Sequence, residues 1–329
     1  MANAGLKKMS IGGAAALFAL AAGAAPLKVA VFVGSGARNV GAFRWLELAT
    51  MAEGVEAAPV DGASVRAGAL EGMDMVVMPG GRASMEAAEL GEDGRRRLVQ
   101  FIKDGGSYIG TCAGFYLISE RAGGKKANYL DLIPYRDTKS GGAGKGDVPV
   151  AFGARARELA GIPEGSYPLR YGMGPVPDRT GRKIEGTSVE TVAFYDGELP
   201  KGVKRRGRFK GHAAAVAGTV GKGRVFVFTI HPEYDDNDHF LIRGAMRYLT
   251  GRDISWRLDR KDDSRPKIAF LADGSMGVET AKLLQTLMRK GSSRIVPLAK
   301  RELDAGERAG YAGVLRCGGK AVEPLPPRP

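Results

Sequence analysis

The sequence predicts an α/β fold with a largely parallel sheet. Two observations carry this. Short apolar runs rich in valine recur along the 329 residues: LKVAVFV at 27–33, MDMVVM at 73–78 and RVFVFTI at 224–230. Stretches with helical spacing of apolar residues lie between such runs. Strands alternating with helices are the signature of a sheet covered on both faces.

The elements follow in order. LKVAVFV runs into Gly34-Ser35-Gly36, and a helix is expected over about 39 to 53, with Phe43, Leu46 and Ala49 on one face. MDMVVM is stopped by Pro79-Gly80-Gly81. Glu92 to Lys103 reads as an amphipathic helix with Leu98, Phe101 and Ile102 inward. Gly105-Gly106 ends it, Ser107 to Gly110 is the next strand, and Ala113 to Ser119 the next helix. The glycine- and proline-rich stretch from 121 to 188 gives no clear pattern. Val189 to Tyr195, His212 to Val220 and RVFVFTI read as strands. The last runs straight into His231-Pro232-Glu233, and Asp238 is placed to cap a helix that Gly251 closes.

The chain is 44% hydrophobic and 26% charged, which excludes a disordered chain. Its formal net charge is +13, but the basic runs are short and scattered: Arg95-Arg96-Arg97, Lys204-Arg205-Arg206, Arg257 to Lys261. No nucleic-acid motif accompanies them, so they read as solvated surface, and no nucleic-acid partner is expected. Lys7 and Lys8 precede IGGAAALFALAAGAA, and Ala22-Gly23-Ala24 supplies a small-x-small cleavage pattern. Residues 1–24 therefore read as a signal peptide, and the protein as exported, periplasmic or secreted, with no stable membrane span. Cys112 and Cys317 permit one pairing, which is no disulfide scaffold in so long a chain.

A domain is expected over 25–252, a polar linker over 253–266, and a small C-terminal α/β half-repeat over 267–320 before a tail at 321–329. KIAFLADGSMGVETAKLLQTL (267–287) matches KVAVFVGSGARNVGAFRWLEL (28–48) in pattern, and YAGVLRCGG (311–319) matches MDMVVMPGG (73–81). Conserved order with one net gap implies a second strand–helix–strand–strand unit. It stops before any second cysteine corner. Such a unit could cover an open sheet edge or form a dimer contact, so a homo-oligomer stays open.

GGSYIGTCAGFYLIS (105–119) puts Cys112 on a sharp strand-to-helix corner. A corner of this kind lifts a nucleophile off the sheet's carboxyl end, and small neighbours permit the turn. The helix N-terminus beneath it favours the reactive thiolate. The Ala113 N–H is placed to donate to an oxyanion, with a second donor from Gly80 or Gly81. A cysteine nucleophile also needs a base and a group to orient it. His231 ends another strand and Glu233 follows two residues on.

G-T-C-A-G with strand-H-P-E resembles the class I glutamine amidotransferase-like superfamily. More narrowly, LKVAVFVGSGA, VVMPGG, GGSYIGTCAGFYL, D-L-I-P (131–134) and VFTIHPE are similar to the amino-terminal domain of biotin–protein ligase, over about 26 to 250. The resemblance implies a flavodoxin-like three-layer sandwich. It also implies a Cys112-His231-Glu233 triad, with an oxyanion hole from the Pro79-Gly80-Gly81 turn and the Ala113 N–H. Glutamine-using members resemble one another in a Gln or Met four residues after the cysteine, where this chain has Tyr116. No G-R-G-R-x-G run of a biotin ligase catalytic domain is present, so biotin ligation is not expected.

The expected function is an exported cysteine hydrolase of amidase type, acting on a small-molecule or peptide amide or related acyl bond. The alternative is a non-catalytic binding module of the cell envelope with the same fold. Gly34, Ser35, Tyr116, Arg170 and Tyr171 are the expected substrate contacts. No cofactor is expected. HPEYDDNDHF meets no recognised ligand spacing, so no metal is expected either; Asp235, Asp236 and Asp238 suit turn and cap roles.

Overall fold

A computed structural model describes residues 25–120, 129–138, 144–204, 207–234, 239–256, 264–271, 275–298, 311–316 and 323–324. The expected signal peptide, Cys317, and the aspartates at 235, 236 and 238 lie outside the described residues.

The first half alternates strands and helices: β1 (Leu27–Phe32), α1 (Asn39–Met51), β2 (Val55–Val60), α2 (Gly62–Arg66), β3 (Met75–Met78), α3 (Ala83–Asp104), β4 (Ser107–Thr111) and α4 (Ala113–Ile118). The stretch that resisted reading holds β5 (Tyr135–Asp137), β6 (Lys145–Phe152), α5 (Ala154–Ala160), β7 (Gly165–Gly172) and β8 (Pro177–Arg179). Then come β9 (Thr187–Tyr195), β10 (Ala213–Val220), β11 (Gly223–Phe228) and α6 (Phe240–Thr250).

Nine strands form one sheet in the order β2-β1-β3-β4-β11-β10-β9-β6-β7. The first five are mutually parallel. Counted among themselves they have the order 2-1-3-4-5, which is flavodoxin-like. From β10 onward every pairing is antiparallel, so the sheet is mixed. Right-handed crossovers running in opposite directions from β1 and β3 put their helices on opposite faces. Trp45 and Leu48 of α1 and Ile242 and Met246 of α6 close over Val29 and Val77 on one face. On the other, α3 packs against α2 and α4. Phe226 and Phe228 of β11 are fully buried, each contributing about 2–3 kcal/mol of apolar transfer.

Three readings shift. The expected amphipathic helix from Glu92 is present, but another helical stretch from Ala83 precedes it: Gly91, at φ +66°, separates the two within α3, and the first carries a buried Glu86 that disrupts the apolar pattern. His239 rather than Asp238 occupies the N-cap of α6, while Gly251 closes it in the left-handed conformation as expected. The start of the expected linker is packed: Ile254 is buried and Trp256 Nε1 donates to Leu48 O at 2.8 Å.

A second sheet follows, built from β12 (Lys267–Leu271), α7 (Val278–Lys290), β13 (Arg294–Leu298), β14 (Tyr311–Arg316) and β15 (Glu323–Pro324). Its order β13-β12-β14-β15 reproduces β2-β1-β3 of the main sheet and adds one short strand. The two units meet reciprocally: α1 packs on α7 and β13, and α7 packs on α1 and β2. Phe43 stacks on Phe270 at 5.7 Å, and Gln285 Nε2 donates to Ala57 O at 2.9 Å. No helix among the described residues is long and apolar enough to cross a membrane.

Candidate functional site

The strand order sets the site. β4 lies between β3 and β11, parallel to both, so the turn after β3, the corner after β4 and the residues after β11 emerge side by side. Ligands of open α/β sheets sit at this carboxyl edge.

Cys112 alone forms the corner between β4 and α4, with φ +50° and ψ −96°. An L-residue rarely adopts that conformation. Two contacts fix it: Cys112 N donates to Phe228 O at 2.9 Å, and Tyr108 Oη donates to Gly114 O at 2.7 Å. Gly114 must be glycine here, because a Cβ would collide with Met78 O. Cys112 is a free thiol, 4% exposed, and its Sγ–H donates to Gly172 O at 3.6 Å.

His231 follows β11 and is pinned by its own N–H, which donates to Arg170 O at 2.8 Å. Its Nδ1 lies 2.8 Å from Glu233 Oε1, in the short helical turn Pro232–Tyr234. Burial pushes the imidazole pKa down, but Glu233 and Cys112 outweigh it and raise the value to about 10. His231 is therefore protonated at neutral pH. Glu233 is held in turn: Thr111 Oγ1 donates to its Oε1 at 3.3 Å, and Trp45 Nε1 donates to Thr111 Oγ1 at 3.3 Å. Sequence reading missed Thr111 and Trp45. Thr111 stands next to the cysteine, the one signal that pointed to it.

The Pro79-Gly80-Gly81 turn is tied to the residues after β1, where Arg38 N donates to Gly80 O at 2.7 Å and Arg82 N to Gly36 O at 2.8 Å. Gly80 leaves no room for a side chain, since a Cβ would strike His231 Cε1 and approach Cys112 Cβ to 3.3 Å. The N–H groups of Gly81 and Ala113 donate to no acceptor among the described residues.

These groups open into a cleft of about 620 Å³. Gly81, Cys112, Arg170 to Met173 of the segment RYGMGP (170–175), and His231 line it, together with Arg38, Val40, Lys145, Asp147 and Tyr234, which sequence reading did not single out. The segment from Arg170 to Gly174 is the wall facing Cys112. Met173 adopts φ +64° there with 43% of its surface exposed, and Tyr171 Oη braces the turn by donating to Gly174 O at 2.6 Å. Gly34, Ser35 and Tyr116 are not part of the lining. Gly34 is buried, with Glu89 filling the place of a side chain. Tyr116 turns away, donating from Oη to Asp137 Oδ2 at 3.4 Å; burial and Asp137 push its phenol up, so it stays protonated. No cluster of three metal-ligating side chains occurs among the described residues.

No curated protein matches the chain. Among solved structures, a protein described as ThuA-like from Bacteroides uniformis is 14% identical, with a TM-score of 0.48, covering 70% of this chain and 94% of its own. A second ThuA-like protein, from Parabacteroides merdae, is 15% identical with a TM-score of 0.44, covering 71% of this chain and 94% of its own. The β-galactosidase of Rahnella sp. R3 is 16% identical with a TM-score of 0.43; 67% of this chain covers only 30% of that enzyme. At these scores the likenesses carry no inference about chemistry. Residues 68–138, which hold β3, the Pro79-Gly80-Gly81 turn, β4 and the Cys112 corner, match the family model of the biotin-protein ligase N-terminal domain.

Proposed function

We propose that the Cys112 cleft is the active site of a hydrolase that cleaves an amide or related acyl bond through a thioester intermediate. The observation that carries this reading is the backbone of Cys112. A residue held at φ +50° and ψ −96° costs about 1–3 kcal/mol and persists only where its surroundings over-determine it. A small buried cysteine needs no such corner; a nucleophile presented to a cleft does.

The neighbouring groups fit the same chemistry. Cys112 Sγ, its proton already passed to His231, adds to the substrate carbonyl carbon, and the free N–H groups of Gly81 and Ala113 take the oxyanion. His231, kept protonated by Glu233, gives its proton to the leaving nitrogen as the C–N bond breaks. The imidazole, now neutral, takes a proton from water as that water attacks the thioester, and Cys112 is released. Thr111 and Trp45 are positioning residues that act through Glu233. We read residues 1–24 as an export signal; a periplasmic or secreted setting offers water as acceptor and little ATP for synthetase coupling.

Alkylation of the unreduced protein with iodoacetamide across pH, followed by peptide mass spectrometry, tests the reading. Rapid modification of Cys112 well below pH 8, lost in His231→Ala, is expected. Slow modification with the pH dependence of an ordinary thiol leaves a non-catalytic binding module instead.

A further inference from the structure

The cleft is charged on one side only. Arg38 enters from the start of α1, Lys145 from the first residue of β6 and Arg170 from β7. Three elements distant in sequence thus converge on the wall and rim around Cys112. One exposed carboxylate stands among them: Asp147 Oδ1, 3.3 Å from Arg170 Nη1. The other acid at the site, Glu233, is buried and already faces the imidazolium. Arg38 and Lys145 form no ion pair among the described residues, although Arg44, Arg136, Arg155, Arg157 and Arg182 elsewhere all do. Among the described residues, two cations at one cleft therefore have no ion-pair partner.

We propose that this rim is an anion subsite, and that the substrate carries a carboxylate or phosphate group close to its scissile acyl bond. The inference rests on the hydrolase reading for the identity of that bond, but the subsite stands or falls by itself. A cleft with an excess of one sign of charge focuses its field and concentrates ions of the opposite sign. Arg38 offers a planar fork that matches either oxyanion, and Lys145 a point charge. Arg170, held by Asp147, is the fixed member of the set. Val40 and Met173 are apolar members of the lining that can take the body of the substrate.

Two measurements on the full chain test this. The first compares alkylation of Cys112 by iodoacetate, an anion, with alkylation by neutral iodoacetamide, at low and high salt. The iodoacetate-to-iodoacetamide rate ratio is expected to exceed that of the urea-unfolded protein by about 10-fold at low salt, and to shrink with salt. The Arg38→Ala/Lys145→Ala double variant loses that excess, whereas Arg96→Ala, on the distant face of α3, keeps it. A native ratio equal to the unfolded one overturns the subsite, even if Cys112 proves highly reactive.

The second measurement does not depend on the thiol. Thermal unfolding is followed with succinate, with inorganic phosphate and with succinamide, at matched ionic strength. Stabilisation by an anion but not by succinamide, abolished in the double variant, supports the subsite, and the more effective anion identifies the group. If neither anion stabilises more than chloride does, the proposal fails. If they do while Cys112 stays inert to both reagents, the subsite holds and the hydrolase reading falls.

Discussion

Thr111 Oγ1 stands 3.3 Å from Glu233 Oε1, so the residue before the cysteine is bonded to the residue that orients the histidine. β4 and β11 are thereby coupled by side chains where their main-chain ladder ends. The partner side chains of Cys112 are set by the same parallel pairing that sets Cys112 itself.

Replacing Glu233 by Gln removes the carboxylate that outweighs burial at His231. Burial is then opposed by Cys112 alone, and the imidazole titrates below its native value of about 10. Because the folded-state value is raised in the native protein, the stability this group contributes is full below 6.5 and is lost as pH rises through about 10. NMR titration of the His231 ring reads the shift directly. Cys112 alkylation at pH 7 is expected to slow by about 100-fold. A ring that still titrates above pH 9 in the variant contradicts the assignment of Glu233.

The Cys112 corner inverts a familiar rank order. At most sites alanine is more stabilising than glycine, because glycine has more freedom to lose. At φ +50° and ψ −96° only glycine is relaxed. Cys112→Gly should therefore exceed Cys112→Ala in stability by about 1 kcal/mol, measured by urea unfolding of the two variants. Equal or reversed stabilities mean that the corner is not strained.

Glu86 is fully buried, with no hydrogen-bond partner for either carboxylate oxygen among the described residues. Burial first, and then the neighbouring Glu89, push its pKa well above the ordinary 4.5. The folded protein thus binds a proton that the unfolded chain releases, so stability falls as pH rises above 4.5. Glu86→Met should raise stability at pH 8 by about 1–3 kcal/mol, and by less at pH 5. Thermal melts at the two pH values check this; equal gains at both mean that Glu86 is not titrating.

Gly80→Ala places a methyl group against His231 Cε1. The ring must move off Glu233 or off Cys112, and a displacement of about 1 Å at such a site costs about 100-fold in rate. The iodoacetamide rate at Cys112 should drop by that order while far-UV circular dichroism stays native. An unchanged rate refutes the close packing of Gly80 on the ring.

Four strands of the parallel half, β1, β3, β4 and β11, were legible because they are buried on both faces, whereas β2, half-buried at the sheet's end, was not. β3 is an uninterrupted apolar run, β1 and β11 are broken only by exposed Lys28 and Arg224 at their second positions, and each ends in residues that punctuate the pattern. β6 and β7 were illegible for the opposite reason. They pair antiparallel at the sheet's end with exposed and half-buried positions mixed in, and Pro149 lies opposite Pro168. In the cleft, Cys112, His231, Gly81 and Ala113 could be read from short stretches next to strands. Arg38 and Lys145 could not, since more than a hundred residues separate them and only the closure of the sheet brings them together. Gly34, Ser35 and Tyr116 lie near the carboxyl edge in sequence, yet the packing of Gly34 and Tyr116 turns them from the cleft, and Ser35 is exposed outside its lining.

The main chain at residue 112 also bears on ancestry. Drift under stability alone favours glycine at that corner, because every other side chain strains it. A lineage in which the thiol had fallen out of use would have had a single-residue route to a more stable protein. The side chain found at this corner in related sequences is therefore a record of whether selection on the sulfur has continued.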